Sequence, residues 1–95
     1  NSNTKYFRTE ISTMGYEIKS GLHPIVPIMF GDAKLAQNIS KNMLDLGIYV
    51  IGFSYPVVPQ NEARIRVQIS AAHSKNQLDR ALDAFNKCGK KYGIF

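Results

Sequence analysis

The chain has 95 residues, of which 44% are hydrophobic and 20% charged, and this composition predicts one globular domain spanning residues 1–95. Its net charge of +5 comes from 12 lysines and arginines against 7 acidic residues. The basic residues are spread along the sequence, so we favour solvated faces over a nucleic-acid partner. No apolar run approaches the roughly 18 residues that a membrane-spanning helix needs, so we expect no membrane partner.

The first half of the chain predicts one helix and two strands. Residues 3–14 have the apolar spacing of an amphipathic helix, with Asn3 placed to cap it. A short alternating run at 16–18 predicts the first strand. The apolar run 25–30 predicts the second strand, in which Pro27 has no N–H to donate and therefore indicates an edge position or a bulge.

A second helix and a third strand follow. Asp32 is the predicted N-cap of a helix over 33–46, and Gly47 is its C-terminal stop. The apolar run 48–53 predicts the third strand. Prolines and polar residues then predict a loop over 54–63.

The last two predicted elements complete the order α-β-β-α-β-β-α. Residues 64–70 alternate as a strand, and Ser74 with Gln77 forms a capping box for a helix over 75–91. The connections between paired strands are too short for an all-parallel sheet. We therefore predict an α+β two-layer sandwich, with a small and mainly antiparallel sheet and about three helices.

The strands at 25–30 and 48–53 are apolar on both faces, which normally means that both faces are covered. The helices of so short a chain cover one face, and a large exposed apolar face marks an interaction surface. We favour a covered second face, in a chain that is part of something larger. The alternative is that Tyr49 and Phe53 lie at a solvent-exposed edge.

The strand 64–70 sorts its side chains between two faces. Three aliphatic residues point to the core and four polar residues share the opposite face, namely Ile65, Val67 and Ile69 against Arg64, Arg66, Gln68 and Ser70. Guanidiniums about 7 Å apart on one face can bind a carboxylate or phosphate. Charged side chains also protect sheet edges against aggregation, and spacing alone favours this second interpretation.

Other candidate residues carry weaker signals. The apolar, proline-rich stretch 53–59 predicts either a stiff pocket wall or a crossover packed for its own sake. His23 and His73 are expected to have structural or capping roles. The lone Cys88 is expected to be inert core, in a chain without signs of a disulfide framework or of secretion. We predict no metal site and no activated nucleophile, so the pattern indicates a binding or interface module.

Two segments carry a family resemblance. They read GIYVIGFSYPVVP (47–59) and ARIRVQISAAH (63–73), with support from HPIVPIM (23–29) and the following Gly31 and Asp32. The chain resembles the 2-amino-3-ketobutyrate coenzyme A ligases, or glycine C-acetyltransferases, over about residues 5–94. The Pro-Val-Val-Pro element favours them over two other α-oxoamine synthases, the 5-aminolevulinate and 8-amino-7-oxononanoate synthases.

The resemblance implies a fold-type-I enzyme that depends on pyridoxal 5′-phosphate (PLP), forms homodimers, and condenses glycine with acetyl-CoA to 2-amino-3-oxobutanoate and CoA in threonine breakdown. It implies that this chain is the C-terminal small domain of such an enzyme. A large domain of the same polypeptide, absent here, would provide most of the contacts that bind PLP. The fragment would contain no catalytic residue and be inactive alone. The enzyme would be cytoplasmic in a bacterium and in the mitochondrial matrix of a eukaryote.

By the family motif, the second arginine of Ala-Arg-Ile-Arg binds the substrate carboxylate, and here that residue is Arg66. The neighbouring loop would form the pocket wall through Ser54, Tyr55, Pro56, Val57 and Val58. The alternative function is a free-standing basic α+β module with a regulatory or nucleic-acid-binding role. Such modules read bases with aromatics on exposed strand faces, and the polar face of the strand 64–70 carries none.

Overall fold

In the computed structural model, which describes residues 2–19, 21–48 and 50–95, three helices cover one face of a four-stranded antiparallel sheet. The elements are α1 (Ser2–Met14), β1 (Glu17–Ile18), β2 (Ile25–Gly31), α2 (Ala33–Asp45), β3 (Ile51–Phe53), β4 (Ala63–Gln68) and α3 (Lys75–Lys91). The strand order is β1-β2-β4-β3. The predicted element order and the two-layer α+β sandwich are confirmed.

The two helices with predicted caps begin where the sequence indicates. Asp32 precedes α2, and its carboxylate accepts a hydrogen bond of 3.0 Å from the Leu35 N–H. Ser74 and Gln77 form the predicted capping box of α3, with each side chain bonded to the other residue's backbone N–H. These bonds satisfy N–H groups that the first turn of a helix leaves without partners.

The prediction of Asn3 as an N-cap is wrong, because α1 begins at Ser2 and Asn3 lies inside it. The Asn3 amide instead donates to the carbonyl oxygens of Ser70 at 3.0 Å and His73 at 2.8 Å. It therefore joins the start of α1 to the connection between β4 and α3, about 70 residues further along the chain.

The third strand is shorter than predicted, because the end of α2 uses part of the run 48–53. The Ile48 N–H donates to the Met43 carbonyl at 2.8 Å and the Gly47 N–H to the Leu44 carbonyl at 2.9 Å. Gly47 has a φ of +85°, which favours glycine. This is a Schellman cap, and β3 begins only at Ile51. Tyr49 lies outside the described residues.

Pro27 was expected at an edge position or a bulge; it lies on an interior strand but at a point where only one side is paired, and it is not at the bulge. β2 lies between β1 and β4, and the register shift falls between Met29 and Gly31. Pro27 is opposite Arg66 of β4, whereas β1 pairs only with Ile28 and Met29. In the described sheet, Pro27 is therefore paired with β4 only. Because no strand is paired with Pro27 on the β1 side, its missing N–H removes no ladder hydrogen bond there.

The core lies between the helices and what we call the inner face of the sheet. Its largest fully buried side chains come from all three helices and from β2 and β4, namely Phe7, Ile11, Val26, Ile28, Ile39, Met43, Ile65 and Phe85. The rings of Phe7 and Phe85 meet edge to face with centres 6.2 Å apart. The opposite side of the sheet, the outer face, carries no helix of the described chain.

Candidate functional site

The outer face of the sheet is formed by the alternate residues of β2, β4 and β3 that point away from the helices. Two cross-strand rows run over it, Pro27–Arg66–Ile51 and Met29–Arg64–Phe53. Ile65 of β4 and Ile69, which directly follows the strand, are buried, and Val67 of β4 is half-buried. The outer face thus places two arginines among apolar neighbours.

Arg66 is exposed, and its guanidinium is available to an anion. Its ladder partner is Ile51, but its Cζ atom lies 4.6 Å from the centre of the Phe53 ring. The side chain therefore leans along β3 toward the connection to β4. In the described part of the chain no carboxylate pairs with Arg66, so its N–H groups can form the two parallel bonds that suit a carboxylate.

Arg64 lies two residues away on the same face, but its guanidinium is engaged. Its Nε donates to the Glu62 carbonyl oxygen at 3.1 Å, and its Nη2 lies 3.5 Å from Glu62 Oε1. The Arg64 side chain is only 18% exposed. Glu62 therefore occupies part of the guanidinium of Arg64. The guanidinium of Arg66 has no such anionic partner among the described residues.

The stretch after β3 is a hairpin connection between neighbouring strands, so the interpretation as a crossover is wrong. The N–H groups of Val57 and Val58 both donate to the Ser54 carbonyl, at 3.0 and 3.3 Å, and the Tyr55–Pro56 peptide bond is cis. A second turn follows, in which the Glu62 N–H donates to the Pro59 carbonyl at 3.2 Å. The loop is thus built from hydrogen-bonded turns.

The five residues expected to form a pocket wall do not meet Arg66 in one enclosed cavity. Ser54 lines a pocket of about 270 Å³ against α2, and Tyr55 lines another of about 220 Å³ beside Gly31 and Asp32. Arg66 lines neither pocket. Pro56 and Val57 are exposed and Val58 is half-buried. A pocket that contains the Arg66 guanidinium therefore requires a second wall from elsewhere.

The two histidines and the cysteine have the structural surroundings predicted for them. His73 Nδ1 accepts a hydrogen bond from the Ser70 N–H at 3.0 Å, and His23 Nδ1 accepts one from the Ile25 N–H at 3.1 Å. Cys88 is buried, and this burial raises the pKa of its thiol. Within the described ranges no three histidine, cysteine, aspartate or glutamate side chains are grouped to hold a metal ion.

The lysines are distributed as solvated charges. All eight are exposed, and each lies on a helix or in the connection that follows β1 rather than on the outer face. Lys87 of α3 pairs with Asp83 at 3.1 Å, one helical turn earlier. No helix of the described residues is long and apolar enough to cross a bilayer.

Phe53 is the residue of this face that sequence reasoning missed. We expected it either on a covered face or at a wet edge, and connected it to no functional side chain. Its two-residue offset from Ile51 was the available signal, because alternation places the two on one face. Which strand would lie beside β3, and hence which arginine would reach the ring, depends on pairing that the local sequence does not encode.

Comparison with known proteins decides the family. The family model described as "Aminotransferase class I and II" matches residues 1–85. The chain belongs to this family. A mitochondrial 2-amino-3-ketobutyrate coenzyme A ligase of Bos taurus is 53% identical over 90 residues, which are 95% of this chain and 22% of that protein. The Escherichia coli K12 protein of that name is 45% identical over 93 residues, 98% of this chain and 23% of the relative.

The resemblance to the 2-amino-3-ketobutyrate coenzyme A ligases is therefore confirmed, and the chain spans less than a quarter of these relatives. Solved structures agree on the fold. A serine palmitoyltransferase from S. paucimobilis with bound PLP–myriocin aldimine matches with a TM-score of 0.92 at 26% identity, over 99% of this chain and 24% of that one. An 8-amino-7-oxononanoate synthase from Francisella tularensis matches at 0.78 and 25%, over 99% and 27%. These names disfavour the alternative of a regulatory or nucleic-acid-binding module.

Proposed function

We propose that this chain is the C-terminal small domain of a PLP-dependent acyltransferase that condenses glycine with acetyl-CoA to 2-amino-3-oxobutanoate and CoA. In this proposal Arg66 binds the carboxylate of glycine. The observation that carries it is the contrast on the outer face, where the Arg66 guanidinium lacks an anionic partner in the described chain and Arg64 is bound to Glu62. The identity of about half the residues with 2-amino-3-ketobutyrate coenzyme A ligases supports the choice of reaction.

The second wall of the site comes, in this proposal, from a large domain of the same polypeptide. The apolar residues around the two arginines are half-buried or exposed, namely Ile25, Pro27, Met29, Ile51 and Phe53. Covering them removes apolar surface from water, which favours docking. Because this chain is less than a quarter of its curated relatives, the rest of such a protein is long enough to provide that domain.

A second copy of the protein is the proposed partner at the loop after β3. Tyr55 and Val57 are 62% and 74% exposed there, which is a high exposure for apolar side chains held in hydrogen-bonded turns. We propose that this loop lies at the interface of a homodimer whose active sites are shared between subunits, with the loop forming the pocket wall. Contact with the partner would bury these side chains and enclose Arg66.

The described residues fit the substrate carboxylate better than they fit PLP itself. When bound, PLP supplies an electron sink for the bond that breaks at the substrate Cα. An amine to hold it would have to come from a lysine, and no lysine of this chain lies on the outer face. We therefore assign the binding of PLP mainly to the large domain, and expect the 95-residue chain alone to have no activity with added PLP.

The work of Arg66 in this reaction is orientation. Two parallel N–H···O bonds fix both oxygens of the glycine carboxylate, and with them the rotation of the bonds at Cα. A lysine ammonium is a point charge and fixes direction less well. Exclusion of water by the covering domain would strengthen both bonds, since charge interactions are weaker in water than in a buried site.

The location follows the relatives in this proposal. The bovine relative is mitochondrial and the Escherichia coli relative is bacterial. We place the enzyme in the mitochondrial matrix if the source is eukaryotic and in the cytoplasm if it is bacterial.

The test is substitution of Arg66 in the intact protein. Truncating one partner of a buried charged pair costs about 2–5 kcal/mol, so Arg66→Ala should lower kcat/KM for glycine by roughly 30-fold to several thousand-fold. Arg66→Lys should recover part of this loss. Arg64→Ala is the matched control, on the same strand and face. If both variants fold and Arg64→Ala is the more damaging, the assignment is wrong.

A further inference from the structure

The guanidinium of Arg66 lies over the ring of Phe53, although the two residues are not direct ladder partners. The residue opposite Arg66 is Ile51, and the residue opposite Phe53 is Arg64. Arg66 reaches diagonally across the pair, so that its Cζ lies 4.6 Å from the ring centre. Diagonal neighbours in an antiparallel pair are within reach of long and aromatic side chains. The contact is a cation–π interaction, which has an optimum over the ring face.

This contact provides no carbonyl or carboxylate oxygen to the guanidinium of Arg66. The N–H groups of arginine lie in the plane of the guanidinium, and a carboxylate approaches in that plane. Because the Phe53 ring has no oxygen acceptor, it does not take the place of a carboxylate as the partner of these N–H groups. Glu62, in contrast, competes directly for the N–H groups of Arg64.

The ring also reduces the freedom that Arg66 loses on binding. A long, exposed arginine populates many rotamers, and fixing such a side chain at a binding site costs affinity. Contact with Phe53 selects the rotamers in which the guanidinium lies beside the β3–β4 connection. The arginine is thus partly ordered before the carboxylate arrives.

The backbone that carries Phe53 is itself held in place. Gly52 lies against α2, where a Cβ atom would come within 3.3 Å of Ser40 Oγ. Ser54, on the other side, accepts the two backbone hydrogen bonds of the following turn. Phe53 is half-buried between these two points. The backbone on both sides of Phe53 is therefore held by α2 and the loop rather than by Arg66.

We propose that Phe53 is a positioning residue that pre-orders the Arg66 guanidinium for the substrate carboxylate. This inference rests on the proposed function of Arg66 and adds a second residue to that site. It assigns Phe53 an effect on the affinity for the carboxylate substrate, and none on the chemistry at the substrate Cα.

The test compares glycine kinetics of intact, PLP-bound variants with saturating acetyl-CoA. Phe53→Leu keeps an apolar side chain but removes the ring, and Phe53→Met is a second non-aromatic variant if the first does not fold. Either should raise KM for glycine by roughly 3- to 30-fold, the range of a cation–π contact, with kcat within about twofold. Phe53→Tyr keeps the ring and should return KM to within about twofold of the parent. Leu44→Ile, at an exposed apolar residue of α2 away from the outer face, is the control and should leave KM for glycine unchanged.

A double-mutant cycle separates failure of this inference from failure of the proposed function. If Phe53 acts through Arg66, the Phe53→Leu change should leave KM for glycine unaltered in an Arg66→Ala background. If Arg66→Ala itself leaves KM and kcat/KM for glycine unchanged, the proposed function fails and this inference fails with it. If Arg66→Ala is damaging, but Phe53→Leu either changes nothing or raises KM equally in both backgrounds, only the inference is overturned.

Discussion

The Cζ atom of Arg66 lies 4.6 Å from the centre of the Phe53 ring, on a sheet face that the three helices leave open. Arg64, two residues earlier on the same strand, donates to the carbonyl oxygen of Glu62 instead. Two identical side chains on one face therefore differ in their partners, one resting on an aromatic ring and the other bonded to an acidic residue. This difference, and not spacing, distinguishes the proposed carboxylate-binding arginine from its neighbour.

Arg8 of α1 should be a major contributor to stability. It is 8% exposed, and its guanidinium donates four hydrogen bonds of 2.8–3.0 Å to the carbonyl oxygens of Lys19, His23 and Ile25. Hydrogen bonds to charged groups contribute about 1.5–3 kcal/mol, and removal leaves three partly buried carbonyl oxygens without this donor. We expect Arg8→Ala to lower the free energy of unfolding by about 3 kcal/mol or more in urea denaturation.

Two further variants make this prediction specific. Arg8→Lys should recover only part of the loss, because one ammonium cannot reach all three carbonyls in the geometry of the fork. Lys5→Ala removes an exposed cation from the same helix and should change stability by less than about 0.5 kcal/mol. A loss below about 1 kcal/mol for Arg8→Ala would mean that water replaces these bonds in the variant.

Tyr6 gives the chain an alkaline limit of stability. Its hydroxyl donates a hydrogen bond to Asp79 Oδ1, and this bond, together with the negative charge of the carboxylate, raises the pKa of Tyr6 from 10.0 to about 12. The fold therefore favours the protonated phenol. The stabilisation is complete below the pKa of the unfolded chain and is lost as pH rises from about 10 through about 12.

The measurement is Tm as a function of pH across that window. Tyr6→Phe should start from a lower Tm at neutral pH and fall less steeply between pH values of about 10 and 12. Burial also raises the pKa of Tyr16, so part of the fall should remain in the variant. Asp79→Asn removes the charge and should flatten the profile in the same window. An unchanged slope in both variants would exclude Tyr6 as the cause.

Gly89 and Phe95 should be coupled across the end of α3. The Phe95 ring meets Tyr16 edge to face with centres 5.5 Å apart, and a Cβ at Gly89 would overlap that ring. Gly89→Ala gains about 1 kcal/mol of helix propensity but displaces the ring and loses its contacts. We therefore expect it to destabilise the parent and to be neutral or stabilising in a Phe95→Ala background.

Unfolding free energies of the four proteins in this cycle give the coupling between Gly89 and Phe95 directly. We expect a coupling free energy of about 1 kcal/mol or more. Its sign should be such that the double variant is more stable than the two single effects, added together, would make it. Additive effects would show that the ring of Phe95 does not occupy the space above Gly89.

Local signals in the sequence predicted what local interactions determine. Asp32 and the pair of Ser74 and Gln77 cap the helices that follow them, because a cap needs only residues within one turn. The alternation of 64–70 correctly sorted Arg66 away from the core for the same reason.

Long-range contacts explain what the sequence did not predict. Asn3 is a residue type that commonly caps helices, but its hydrogen-bond partners lie in the connection before α3. Phe53 meets Arg66 only because β3 lies beside β4. Each depends on elements that are distant in sequence, and local patterns carry no information on which of them meet.

The proposed site is tested most directly by comparing glycine with glycinamide as ligands of the intact, PLP-bound protein. Glycinamide keeps the amino group and Cα but replaces the carboxylate with a neutral amide. We expect Arg66→Ala to weaken equilibrium binding of glycine by roughly 30-fold or more and that of glycinamide by less than about twofold. Equal weakening of both ligands, or unchanged binding of glycine, would contradict the assignment of Arg66 to the carboxylate.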